Sequence, residues 1–258
     1  MTRSAKIRFA LAGASLMALS TAAVAAPAVG LTGDKTLVWF DTDSPSQMKT
    51  IEVTGVDRLH GIDLRPMDKM VYGLADDGSL VTINLETGAA TAVSKLDTML
   101  PDGVTASVDF NPMADKLRVM GSDGTNLRAD PASGKVTKDG SLAFEAGDAN
   151  AEEKPNIVAT AYINSFGKPE KTAMYDIDGR GWFIQQTKPN DGTLKTIGEL
   201  GVQLGENVAF DVQTSAEGSN TAWLVTGGVL YKINIETGAA EKAADGADAN
   251  LRELTVLH

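Results

Sequence analysis

A stretch near the start of the chain returns near its end: LVTINLETGAATAV (80–93) is matched by LYKINIETGAAEKA (230–243). A repeat of this length constrains the fold before any single residue does, because a unit unable to bury its own apolar face must stack on copies of itself. The clearest copy, 59–93, holds three apolar runs, GIDL, MVYGL and LVTINL, and a shorter fourth, ATAV. The turn clusters RPMD, ADDG and ETG separate them. Alternation and β-branched content make these runs strands, and Gly88 stands where the last turn needs positive φ. The unit is therefore four strands, a to d.

The unit can be followed through the chain. SVDFNP, KLRVMGSDG and NLRADPASGKVTKDG repeat it at 105–143, and further copies occupy 156–201 and 207–244. Residues 28–41 align without a gap on 71–84, giving strands b and c of another unit, with KTIEVTG (49–55) as d and no a-strand. LRELTVL (251–257) is an a-strand without a unit, so the two ends complete one another. Four-stranded units of about 40–50 residues are the pattern of propeller blades, and no helical pattern separates the runs as a parallel α/β fold requires. The expectation is an all-β β-propeller of five four-stranded blades, closed by the N-terminal strands and the C-terminal strand. It is one domain over 26–258: a composite blade (28–55 plus 251–257) and blades at about 59–98, 105–143, 156–201 and 207–244.

Composition narrows location and chemistry. Arg3, Lys6 and Arg8 precede an apolar run, and Ala23-Val24-Ala25 fits a cleavage site, so residues 1–25 read as a secretory signal. The run is too short to span a membrane comfortably, since spanning takes about 20 residues. The expected protein is periplasmic or secreted, without a membrane span after cleavage, and monomeric. The chain has no cysteine, which removes disulfides, thiolate chemistry and a lipoprotein anchor. Its formal charge of −11 argues against a nucleic-acid partner. His60 and His258 are the only histidines, too few for a two-histidine metal site or a well-supplied triad.

VDFNPMADKLRVMGSDGTNLRADPASG (108–134), TAMYDIDG (172–179) and PNDGTLKTIGELG (189–201) resemble the bacterial family known as domain of unknown function 4394. The resemblance covers essentially all of the chain after the presequence. One departure is ADPASG, where the family more often has NPDTG. The resemblance implies secretion and this repeat architecture, and no reaction, ligand or catalytic residue.

Several residues carry chemistry worth weighing. Asp63, Asp109 and Asp211 share one repeat position in the a-strands, where the third unit has Ala161 and the composite unit Thr255. Three carboxylates near one axis suit an oxygen-ligated cation such as Ca²⁺; alternatively, each accepts backbone N–H groups of its own or the adjacent blade. Arg65, Arg118 and Arg128, with Asn111 and Asn126, offer guanidinium forks for an anionic ligand, or pair internally with Asp109, Asp115 or Asp130. Asn190 and Asp191 lie in the c–d loop of the third blade, either a binding loop or simple turn chemistry. Asp176-Ile177-Asp178-Gly179 faintly resembles a calcium loop at a hairpin turn but lacks the third acidic ligand and the distal glutamate. Trp39, Trp182 and Trp223 fall on b or c strands, for packing rather than sugar stacking.

No catalytic set is evident and no cofactor is implied beyond Ca²⁺ at the Asp positions. The leading expectation is a non-catalytic module binding a small ligand or an envelope protein. An envelope hydrolase or lyase using the axial carboxylates, and a purely structural envelope protein, remain the alternatives.

Overall fold

The structure, a computed structural model, describes residues 25–257. The signal-peptide reading of residues 1–25 and the terminal His258 therefore lie outside it, except for Ala25. The described residues form 21 strands and no helix, so none has the length and apolar character to cross a membrane as a helix.

Blade 1 is β4 (Leu59–Arg65), β5 (Met70–Ala75), β6 (Ser79–Ile83) and β7 (Ala90–Lys95). Blade 2 is β8 (Ala106–Asn111), β9 (Lys116–Gly121), β10 (Asn126–Ala129) and β11 (Val136–Lys138). Blade 3 is β13 (Ile157–Tyr162), β14 (Met174–Asp178), β15 (Trp182–Lys188) and β16 (Thr193–Glu199), with β12 (Ala143–Phe144) added parallel to β16. Blade 4 is β17 (Val208–Thr214), β18 (Asn220–Thr226), β19 (Val229–Ile233) and β20 (Ala240–Asp245). The composite blade runs in the order β21 (Leu251–Val256), β1 (Pro27–Thr32), β2 (Thr36–Asp41), β3 (Ser44–Glu52). Five blades and the shared closure are as the repeat implies.

Two boundaries differ from the sequence expectation. Ala143 does not end blade 2; it pairs with Thr193 on the outer edge of blade 3. The outer strand of the composite blade begins at Ser44, not Lys49. Both are outermost strands, whose exposed residues carry little apolar pattern to read.

The core lies in the seams between neighbouring blades. Tyr175 stacks on Phe183 at 5.2 Å within blade 3, and Phe183 meets Phe210 of blade 4 edge-on at 6.0 Å. Each inner sheet is covered on both faces, so β5 (MVYGLA) buries five consecutive residues instead of alternating.

The c–d turns also tie blades together. The side-chain oxygens of Asn84, Asp130 and Asn234 each accept the N–H groups two and three residues on. The turns end in Gly88, Gly134 and Gly238, at φ 74°, 71° and 80°. Gly88 O then accepts Thr54 N (2.9 Å), and Gly134 O accepts Asp97 N (3.0 Å), so each turn docks on the connector leaving the preceding blade. The ADPASG departure leaves the turn intact, because an aspartate oxygen substitutes for the asparagine oxygen.

The ring closes where β21 pairs with β1, from Ala28↔Val256 to Thr32↔Leu251. Gly30 is a glycine because Leu251 lies over it; a Cβ there would overlap the leucine side chain. Arg252 donates to the carbonyls of Gly33, Asp34, Leu59 and His60, tying the C-terminal strand to the β1–β2 turn and to the start of β4.

Candidate functional site

The five inner strands β21, β4, β8, β13 and β17 stand around the axis, and the position of Asp63 recurs on each. Asp63 Oδ2 accepts Phe110 N of blade 2 (2.7 Å), and Asp109 Oδ1 accepts Tyr162 N of blade 3 (3.1 Å). Asp211 Oδ2 accepts Val256 N of the composite blade (2.6 Å), and Thr255 Oγ1 accepts Leu64 N of blade 1 (3.0 Å). Every acceptor takes the N–H of the following blade, one residue after that blade's own axial position. Blade 3 has Ala161 there and supplies none; Val212 N is taken by the Oδ1 of its own neighbour Asp211 instead (2.6 Å). The backbone-acceptor role weighed from sequence is thus present at each aspartate.

The convergence is present too. Asp63, Asp109 and Asp211 are all buried, and each brings an oxygen within 4.8 Å of the others. With Ser165 and Thr255 they line a cavity of about 10 Å³, close to the least that holds one water. Burial pushes the Asp211 carboxyl up to about 7. Asp63 is raised by burial and then by Asp211, and Asp109 by burial and then by Asp63 and Asp211. Like charges held this close favour shared protons or a cation.

Nearer the mouth, the position two residues earlier holds Gly61, Ser107 and Glu253. Ser107 Oγ accepts Thr160 N (3.0 Å), the same inter-blade bond one layer along, and its hydroxyl bonds to Glu253. Glu253 is buried and its Oε1 has no hydrogen-bond partner. Gly61 makes room for it: a Cβ there would stand 3.1 Å from Oε1. Burial raises the Glu253 carboxyl, with Asp63 and Asp211 adding to the shift against Arg252.

A pH dependence follows. A carboxyl raised on folding keeps a proton that the unfolded chain releases. Its stabilisation is full below the unfolded value of 3.8 and is lost as pH rises toward about 7 for Asp211 and for Asp176, itself raised by burial. In the opposite direction, Lys116 and the turn donors of Ser133 hold Asp130 well below the usual range, so its contribution is lost in strong acid. Metal-free protein should melt several degrees higher at pH 5 than at pH 8, and Asp211→Asn should flatten that slope. Equal melting temperatures at both pH values in the parent would contradict the buried-acid assignment.

The N-terminal ends of all five inner strands open into a mouth of about 360 Å³, lined by Arg58, His60, Thr105, Val158, Glu206 and Arg252 among others. Arg58 has only a loose pair with Asp34 at 3.6 Å, and its side chain is 51% exposed. Burial, then Arg58, lowers the His60 pKa. Of these residues the sequence reading had only His60. The missed signal is positional: Arg58, Thr105 and Glu206 each fall one or two residues before an inner strand.

The other expected ligand residues lie away from the axis. Arg118, Asn126, Arg128 and Asn190 do come together, around Asp139. Arg118 is buried and donates to Asp139 (2.6 Å), Asn126 (2.7 Å), Asn190 (3.2 Å) and Tyr162 Oη (3.3 Å). Arg128 faces Arg118 in the β9–β10 register and grips both oxygens of Asp139 at 3.0 Å. Asp139, from the connector after β11, was not among the partners weighed from sequence; Asp130 pairs with Lys116 instead. Arg65 pairs with Asp115 (2.5 Å) and Asp68 (2.8 Å) on the blade 1–2 side. Asn111 caps its own turn by accepting Met113 N and Ala114 N, and Asp191 is an exposed turn residue. Asp176 and Asp178 lie on strand β14, and the β14–β15 hairpin turn opens at Asp178, whose carbonyl accepts Gly181 N (2.8 Å). Asp176 accepts Thr160 Oγ1 (2.6 Å), and Asp178 pairs with Arg180 (2.7 Å). Trp223 is buried with its indole N–H on Gln213, and Arg180 lies 4.3 Å over Trp182.

A family model, Domain of unknown function (DUF4394), matches residues 36–255 and so spans every blade. The chain belongs to the DUF4394 family. No curated protein matches it in sequence. Among solved structures, this DUF4394 chain is similar to a structural genomics protein of unknown function from Bacteroides thetaiotaomicron. The TM-score is 0.53 at 15% identity, covering 88% of this chain and 60% of that one. It is also similar to an auxiliary nutrient binding protein from Bacteroides ovatus, with a TM-score of 0.50 at 10% identity, covering 86% and 58%. The DUF4394 chain thus spans about three fifths of each neighbour's length, and at these identities the likeness is one of fold.

Proposed function

We propose that this protein is a non-catalytic, extracytoplasmic binding module that takes a small polar ligand with an anionic group in the axial mouth. One observation carries the reading. All five inner strands deliver residues to a single concavity, and the half-exposed Arg58 guanidinium stands there with only the loose 3.6 Å pair to Asp34. Pockets of this size, with a few convergent polar groups, are where small ligands bind. Arg118, Arg128 and Arg65 are already held by Asp139, Asp115 and Asp68, so the mouth is the better anion site. The axial carboxylates are poorly placed for hydrolysis, since the space between them is about 10 Å³. The basic, apolar presequence supports an extracytoplasmic location. The nutrient-binding name of the Bacteroides ovatus neighbour is compatible with a binding role, by analogy of fold alone.

A thermal-shift panel of organic acids, sugar acids and phosphorylated sugars tests the reading. A hit should raise the melting temperature saturably, lose at least tenfold in affinity in Arg58→Ala, and survive Arg128→Ala. Hits confined to neutral compounds, or lost in Arg128→Ala and kept in Arg58→Ala, would overturn it.

A further inference from the structure

We infer that Asp63, Asp109 and Asp211 form a Ca²⁺ site on the propeller axis, a site distinct from the mouth and independent of what the mouth binds. Ca²⁺ takes oxygen ligands at about 2.3–2.6 Å, so oxygens on opposite sides of one ion stand about 4.6–5.2 Å apart. The three carboxylate oxygens lie within 4.8 Å of one another, which is the spread of one shared ligand shell. The cavity between them, about 10 Å³, holds one small particle, with Ser165 and Thr255 on its wall.

Three features separate this from an ordinary acidic cluster. All three aspartates are buried and come from three different blades, so one ion would tie blades 1, 2 and 4 together. Asp109 uses one oxygen on Tyr162 N, and among the described residues its other oxygen has no hydrogen bond, although the side chain lines the cavity. Next along the axis, Glu253 is buried with Oε1 unpartnered, close enough that its charge acts on Asp109 and is acted on by Asp63 and Asp211. Among the described residues, no cation is placed against the triad. The main influences on the three aspartates are burial, other carboxylates, backbone N–H groups and Thr255. The charged groups beside it are Glu253 and, beyond it, Arg252, whose donors are taken by carbonyls. An acidic column with an unfilled oxygen at its centre is matched by a hard, oxygen-seeking cation.

Calorimetric titration of the EDTA-stripped chain with Ca²⁺ at pH 8 tests the assignment. One saturable site is expected, with the melting temperature rising by about 5–10 °C at a hundredfold excess over Kd. Asp109→Asn, which disturbs the fewest backbone bonds, should abolish both signals while still folding. Asp109→Ala serves as a second variant should the asparagine misfold. Absence of Ca²⁺ binding at pH 8, binding that survives both variants, or tighter binding of Mg²⁺ than of Ca²⁺ would each overturn the assignment. Arg58→Ala should leave Ca²⁺ binding unchanged, so failure here is distinct from failure of the mouth.

Discussion

Removing residues 251–258 should leave a chain that does not fold. Leu251, Leu254 and Val256 are buried, and each stabilises the fold by about 1.5–3 kcal/mol. The same strand supplies Val256 N to Asp211 and Thr255 Oγ1 to Asp63, so its loss strands two buried carboxyl groups. Leaving a buried polar group unpaired costs about 1–3 kcal/mol each. Together these approach the whole stability of a domain, about 5–15 kcal/mol. β1 would also become an open sheet edge, a template for aggregation. The check is far-UV circular dichroism and gel filtration of the truncated chain beside the parent. A soluble monomer with an unchanged melting temperature would contradict the closure.

Arg118→Ala should cause the largest single-residue loss. The guanidinium and its partner Asp139 are both nearly inaccessible, with side chains 2% and 5% exposed. Breaking one partner out of such a pair costs about 3–5 kcal/mol, a fall of roughly 6–20 °C for a chain of this size. Asn126 and Asn190 would lose a donor as well. Arg128→Ala removes a guanidinium from the same carboxylate, but its side chain is 29% exposed and solvent can replace it; about 1 kcal/mol is expected. In a double-mutant cycle, Asp139→Asn should add little once Arg118 is gone. Additive losses would show that the two do not act as a unit.

The fold was legible because the repeat is written in the inner strands, which pack on both faces and so tolerate little drift. Asp63, Asp109 and Asp211 were visible for the same reason: they hold one register position in three copies. The outer strands were blurred, as at Ser44 and Ala143, because solvent-facing residues are weakly constrained. Asp139 was missed because it lies just past β11, 21 and 11 residues from Arg118 and Arg128, and only the fold of blade 2 brings the three together. The mouth was missed because Arg58, Thr105 and Glu206 are different residue types, and only the geometry brings them to one rim.

The two ends of the chain build one blade. The sequence has no cysteine, so a single introduced pair reads it out cleanly. Ala28 and Val256 are register partners across β1 and β21. The neighbouring bond from Leu257 N to Pro27 O makes theirs the non-hydrogen-bonded kind of pair. Its Cα separation of about 4.5 Å suits a disulfide. Ala28→Cys with Val256→Cys, oxidised and digested, should yield a peptide linking the two ends and a chain that melts higher than its reduced form. Two free thiols in the folded, oxidised protein would contradict the account.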